Sequence, residues 1–127
     1  MLKDNEYKLE NNIFKIYRVE NMDVKRILEE ISQSINDIDL YIHEDTDGEM
    51  MSINGTYNIE YLINNASELF AEALDYSSIT VNISGNYQGE PISIVLNLST
   101  NEIILVTENP NLELSQFIND NSNHISI

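Results

Sequence analysis

The chain has 127 residues, no Cys and no Trp, and 22 Asp and Glu against 6 Lys and Arg, for a formal net charge of −16. That length suits one compact domain, and the lack of Cys excludes disulfides, thiol nucleophiles and cysteine metal sites. With 42% hydrophobic residues a core is affordable despite the charge, while no apolar run reaches the roughly 18 residues of a spanning helix and the polar start carries no secretory signal, so a cytoplasmic protein is expected.

Residues 1–12 read as a polar N-terminal segment. Ile13 to Val19 follows as a strand, after which Asn21 or Asp23 can cap a helix whose stripe is Val24, Ile27, Leu28, Ile31 and Ile35. Ile38, Leu40 and Ile42 then alternate with Asp39, Tyr41 and His43, the period of a strand with one wet face. Asp47 and Gly48 predict a turn into a strand over 49–53, and Asn54 with Gly55 reads as a tight hairpin turn.

Tyr57, Ile59, Tyr61 and Ile63 alternate as the next strand, although Ile59, Leu62, Ile63 and Ala66 also fit one long helix from Asn58 to Asp75. On the strand reading, Asn65 with Glu68 forms the capping box of a short helix with the stripe Ala66, Leu69, Phe70 and Ala73. Strands are expected over 79–84, 92–98 and 102–107, separated by turns at Gly85 to Gly89 and Ser99 to Asn101. Asn109 and Pro110 then open a last helix carrying Leu114, Phe117 and Ile118, and 119–127 read as a frayed tail.

The elements add up to a single α+β domain over 13–118, with one largely antiparallel sheet of about six or seven strands and two or three helices on one face. Ile38, Leu40 and Ile42 precede Ile79, Val81 and Ile83 by 41 residues, and the two helix stripes are offset by 42, a pattern that allows two β-α-β-β units.

Charge placement is the most informative functional signal. All six cations, Lys3, Lys8, Lys15, Arg18, Lys25 and Arg26, precede residue 27; the remaining 101 residues hold 17 acids and no Lys or Arg. Solubility alone is served by a net charge of about 2 to 8 in magnitude, so the surplus calls for a use. Phosphates would be repelled, which disfavours nucleic acid and anionic membranes and favours a basic protein partner such as a nuclease or other nucleic-acid-binding protein.

Two acidic features are candidate contact points. Glu44, Asp45, Asp47 and Glu49 surround Gly48, where an EF-hand register fails because its first and twelfth positions would be His43 and Asn54. A solvated hairpin tip acting as a binding prong is expected instead, with no metal. On the second helix Glu68, Glu72 and Asp75 fall at i, i+4 and i+7, with neighbouring carboxylates about 5–6 Å apart, opposite the apolar stripe. Tyr41, on the wet strand face beside Asp39 and His43, is a candidate aromatic anchor.

Catalysis lacks a constellation. His43 and His124 are the only histidines, four glycines form no phosphate loop, and 22 acids guarantee chance carboxylate pairs. No cofactor is expected. The composition resembles in kind, without the motifs of any family, the small acidic inhibitors exemplified by anti-CRISPR proteins, DNA mimics and toxin-immunity proteins. The expected function is occlusion of a basic protein's nucleic-acid-binding or active site; the alternative is a self-associating structural or adaptor module, a homodimer through exposed sheet edges, whose acids serve solubility.

Overall fold

A computed structural model describes residues 2–46, 54–71, 77–118 and 125–126. Among them lie eight strands and two α-helices: β1 (Glu6–Leu9), β2 (Asn12–Val19), α1 (Val24–Ser34), β3 (Asn36–Thr46), β4 (Gly55–Tyr57), α2 (Ile59–Ala71), β5 (Ser77–Tyr87), β6 (Glu90–Asn97), β7 (Glu102–Thr107) and β8 (Ile125–Ser126). The strands join one α+β sheet in the order β1-β2-β7-β6-β5-β3-β4, with β8 beside the end of β2 and every pairing antiparallel.

Alternating directions along that order make β2 and β3 run the same way, so the β2-α1-β3 crossover passes over three strands, whereas β4-α2-β5 passes over one. The consequence is a separation by charge. β2, with Lys15 and Arg18, lies four strand spacings, about 19 Å, from β3, beyond which no strand carries a cation.

Core formation follows the alternation. Ile13, Tyr17 and Val19 of β2, Leu40 and Ile42 of β3, Ile79, Val81 and Ile83 of β5, Ile92, Ile94 and Leu96 of β6, and Ile103 and Leu105 of β7 are buried on the face that meets the helices. Val24, Ile27, Leu28 and Ile31 of α1 and Leu62, Ala66 and Phe70 of α2 close that layer. Burying each such side chain contributes about 1.5–3 kcal/mol, which is how the fold tolerates its net charge. Asp23 caps α1 by accepting the Arg26 N–H at 3.2 Å, and Ile35 ends the helix in an extended conformation.

Several expected elements differ. The strand expected over 57–63 stops at Tyr57: Asn58 Oδ1 accepts the N–H groups of Glu60 (2.9 Å) and Tyr61 (3.2 Å), so Asn58 is the cap and the helix begins at Ile59. Asn65 is therefore no cap; it lies within α2, where its Nδ2 donates to the Tyr61 carbonyl at 2.8 Å. The helical period prevails because it lays Ile59 and Ile63 on the core together with Leu62 and Ala66, whereas a strand would split these two pairs between opposite faces.

Gly55 is not a hairpin-turn residue. It opens β4 opposite Ile42, and Asn54 Oδ1 accepts the Glu44 N–H at 2.6 Å; the strand expected over 49–53 lies outside the described residues. Nor does a helix follow Pro110. Asn109 turns the chain by accepting the Asn111 N–H through Oδ1 and the Leu112 N–H through its carbonyl, leaving only a 3-10 turn at Leu114–Gln116. Both ends of the chain join the sheet: the expected polar segment contains β1, and the expected frayed tail contains β8. β3 and β5 keep the 41-residue offset, but α1 and α2 begin 35 residues apart, at Val24 and Ile59, so the helices do not follow the repeat.

Two-residue turns link β1 to β2 and β5 to β6. Gln88 (φ 50°) and Gly89 (φ 84°) both adopt positive φ between β5 and β6, at the end of the Gly85 to Gly89 stretch read as a turn. Gly85 instead stays within β5, opposite Asp37 and Ile38, where the register of β3 shifts between Asn36 and Asp39. One residue of β5 there faces two of β3, a β-bulge.

Candidate functional site

The helices cover one side of the sheet, and strand alternation sends every second residue to the other. Cross-strand pairing arranges this second face in rows. One row runs Ile16, Ile104, Val95, Asn82, Tyr41, Thr56; the next runs Tyr7, Phe14, Val106, Ser93, Ser84, Asp39. A third row runs Arg18, Glu102, Asn97, Thr80, His43. In the first two rows the face is aliphatic and aromatic over β1, β2 and β7 and at Val95 of β6, and polar to anionic from Ser93 across β5, β3 and β4; the third row is polar throughout, with Arg18 4.0 Å from Glu102.

On β3, Asp39, Tyr41, His43 and Asp45 project from this face at the two-residue interval of a strand, about 6.6–6.8 Å. Tyr41 is 45% exposed, and His43 Nε2 lies 3.2 Å from an Asp45 carboxylate oxygen. Where the aliphatic and anionic halves meet, a depression of about 450 Å³ opens between Asp39, Tyr41, Thr56, Asn82, Ser93 and Val95.

The candidate residues read from sequence are dispersed. Tyr41 and Asp45 share the open face. Glu44, one position out of phase, is only 5% exposed and points with Leu40 and Ile42 toward the helices, which removes it from any docking prong. Alternation is the reason: Glu44 and Asp45 are neighbours in sequence and opposite in facing. Asp47 and Glu49 lie outside the described residues. Glu68 is exposed on α2, whereas Glu72 and Asp75 of the same stripe lie outside them. Lys25 of α1 lines one depression with Ala66, Ser67 and Phe70 of α2, so a cation from another helix stands beside the turn that carries Glu68.

A polar cluster that sequence inspection missed sits at the opposite edge. Lys15 follows the buried phase of β2 and is 0% exposed; its ammonium donates to the carbonyls of Pro110 (2.7 Å) and Leu112 (2.6 Å) and to Glu113 Oε1 (3.1 Å). Glu6 lies 3.8 Å away. The Tyr17 hydroxyl donates to Glu113 Oε2 at 2.6 Å and accepts the Leu114 N–H at 3.3 Å. The available signal was periodic: Lys15 occupies the middle of the Ile13, Tyr17, Val19 series. The cluster fastens residues 110–114 across the end of β2, and its acceptors satisfy the ammonium, so it serves architecture.

Burial pushes the Tyr17 hydroxyl up, reinforced by its hydrogen bond to Glu113. Burial by itself would raise the Glu113 carboxyl as well, but hydrogen bonds from Tyr17 and Lys15 and the charges of Lys15 and Lys3 outweigh it and hold its pKa below the ordinary glutamate value. A carboxylate with a depressed folded-state pKa contributes stability above its unfolded pKa and loses it as pH falls through the folded one. The Tm advantage of the wild type over Glu113→Gln is therefore expected to be constant above about pH 5 and to close progressively below about pH 4. Thermal melts of both proteins from pH 7 to 2.5 check this, and an advantage that persists undiminished at the acid end contradicts it.

Among the described residues no group of three His, Asp or Glu side chains is gathered to hold a metal ion, and no helix is long and apolar enough to cross a membrane. No protein-family model, curated protein or solved structure matches the chain.

Proposed function

We propose that this protein is a small, acidic, non-catalytic inhibitor that binds a basic nucleic-acid-processing protein and occludes its nucleic-acid-binding or active site, acting in counter-defence or as an immunity protein. The observation that carries this reading is the separation of charge across the sheet. Lys15 is buried and neutralised, Lys3 lies 3.6 Å from Glu113 and Arg18 lies 4.0 Å from Glu102, all at the β1-β2 edge, whereas β3 exposes Asp37, Asp39 and Asp45 between β5 and β4, which carry neither acid nor cation. A surface of one sign accelerates encounter with a surface of the other and repels nucleic acid.

Affinity capture at low and at high salt tests the reading. The expected result is retention of one basic nucleic-acid-binding protein that salt releases, and loss of that protein's nucleic-acid binding on adding stoichiometric inhibitor. Continued nucleic-acid binding by the captured partner, or capture indifferent to salt, would overturn it.

A self-associating module has one observation in its favour: edge strand β1 exposes Tyr7 and, at 62%, Leu9. Sedimentation separates the two, because a salt-insensitive homodimer that captures nothing supports the module alone.

A further inference from the structure

We infer that the docking surface for the basic partner is the face of the sheet opposite α1 and α2, and that it takes a partner segment in which arginine or lysine alternates with apolar side chains. The inference rests on the proposed function and specifies the site through which it acts.

Two properties of this face point to that occupant. Its aliphatic half, Ile16, Ile104, Val95, Phe14 and Val106, lies on the outer side of the strands, away from the helices, with Tyr7 stacked on Phe14 at 4.7 Å between ring centroids. Such a surface gains from covering by apolar groups. The rows then pass without interruption into Asn82, Tyr41, Ser84 and Asp39, on strands with no Lys or Arg.

Charge complementarity selects the partner from among the molecules that cover apolar surface. A second copy would bring another −16, and an anionic lipid surface or nucleic acid would be repelled likewise. A basic protein segment satisfies both halves of the face. The depression at their junction suits a long cationic side chain, its methylene stem against Val95 and Tyr41 and its head group against the Asp39 carboxylate, with Ser84 and Ser93 hydroxyls alongside.

Size agrees as well. Six strands and three rows span about 29 Å by 20 Å, close to the roughly 600 Å² per partner of a small specific interface. The exposed acids of α2 offer charge without adjoining aliphatic rows, and Lys25 stands beside them.

The test uses the isotopically labelled full chain, observed by amide chemical shifts, with two synthetic probes: a peptide alternating arginine with leucine and a matched peptide alternating arginine with serine. The leucine peptide is expected to bind about fivefold more tightly or better, shifting Ile16, Val95, Ile104 and Tyr41. Asp39→Asn and Tyr41→Ala are each expected to weaken it about threefold or more with Tm nearly unchanged, since both side chains are exposed. Should Tyr41→Ala perturb folding, the nearly isosteric Asp39→Asn carries the comparison.

Equal affinity for the two peptides, with shifts confined to Glu60 and Glu68 on α2, would overturn the docking face while leaving the acidic-inhibitor reading intact. Absence of salt-sensitive binding by either peptide would overturn both. Face shifts that grow with the protein's own concentration, without peptide, would assign the face to a second copy and overturn the inference.

Discussion

Lys15→Met is expected to destabilise the protein by about 2–4 kcal/mol, because the substitution keeps the buried methylene stem but removes the donor from two carbonyls and a carboxylate. Leaving one buried acceptor unmet costs about 1–3 kcal/mol, and here the carbonyls of Pro110 and Leu112 lose the same partner at once. Some of that loss is recovered by water reaching the Glu113 carboxylate, which is 33% exposed, so the total stays below the sum of separate penalties.

The effect should be concentrated in space. Residues 110–118 deliver Leu112, Leu114, Phe117 and Ile118 to the core, and the ammonium is one of the contacts that keep this segment across β2. Urea denaturation gives the magnitude, and amide exchange should show faster opening at Leu114, Phe117 and Ile118 than in β5 or β6. A loss below about 1 kcal/mol would mean that the carbonyls are readily rehydrated and that the Lys15 contacts are incidental.

Gly85→Ala is expected to cost about 1–3 kcal/mol, for a reason that lies in β3 as much as in β5. A Cβ at Gly85 would stand 2.6 Å from Ile35 Cγ2 and 2.7 Å from the Asn36 carbonyl oxygen, one a buried branched side chain and the other backbone, so neither can swing aside. These contacts lie at the bulge where Asp37, at φ 56°, and Ile38 face Gly85.

The bulge sets the phase of β3. Beyond it Leu40 and Ile42 point to the core while Asp39, Tyr41 and His43 point to the open face, and a one-residue slip would exchange the two sets. Gly85→Ala should therefore lower Tm and weaken salt-sensitive partner binding together, although Gly85 itself is remote in chemistry from any charged ligand. Stability and binding that both remain unchanged would show that the strand accommodates the methyl by a small shift and that the bulge does not depend on glycine.

Much of the architecture was legible locally. The Val24, Ile27, Leu28 and Ile31 stripe with Asp23 before it, and the alternation in β2, β3, β5, β6 and β7, each need only near neighbours in sequence, because a helix or a strand with one buried face imposes its own period. Residues 57–63 satisfied both periods at once, and a local reading had no means to choose between them. The choice came from Asn58 as cap and from a core that receives Ile59 and Ile63 together with Leu62 and Ala66.

For the candidate site the balance is reversed. Composition and period sufficed for the α+β class, the surplus of acid and its confinement beyond Arg26, since neither requires a distant partner. Strand pairing and packing were needed to bury Glu44 while exposing Asp45, to hold Lys15 with residues about a hundred positions away, and to set β3 at the opposite side of the sheet from β2. Strand order and register are non-local: they are settled by which faces can be buried together, and a charge acquires its surroundings only after that settlement.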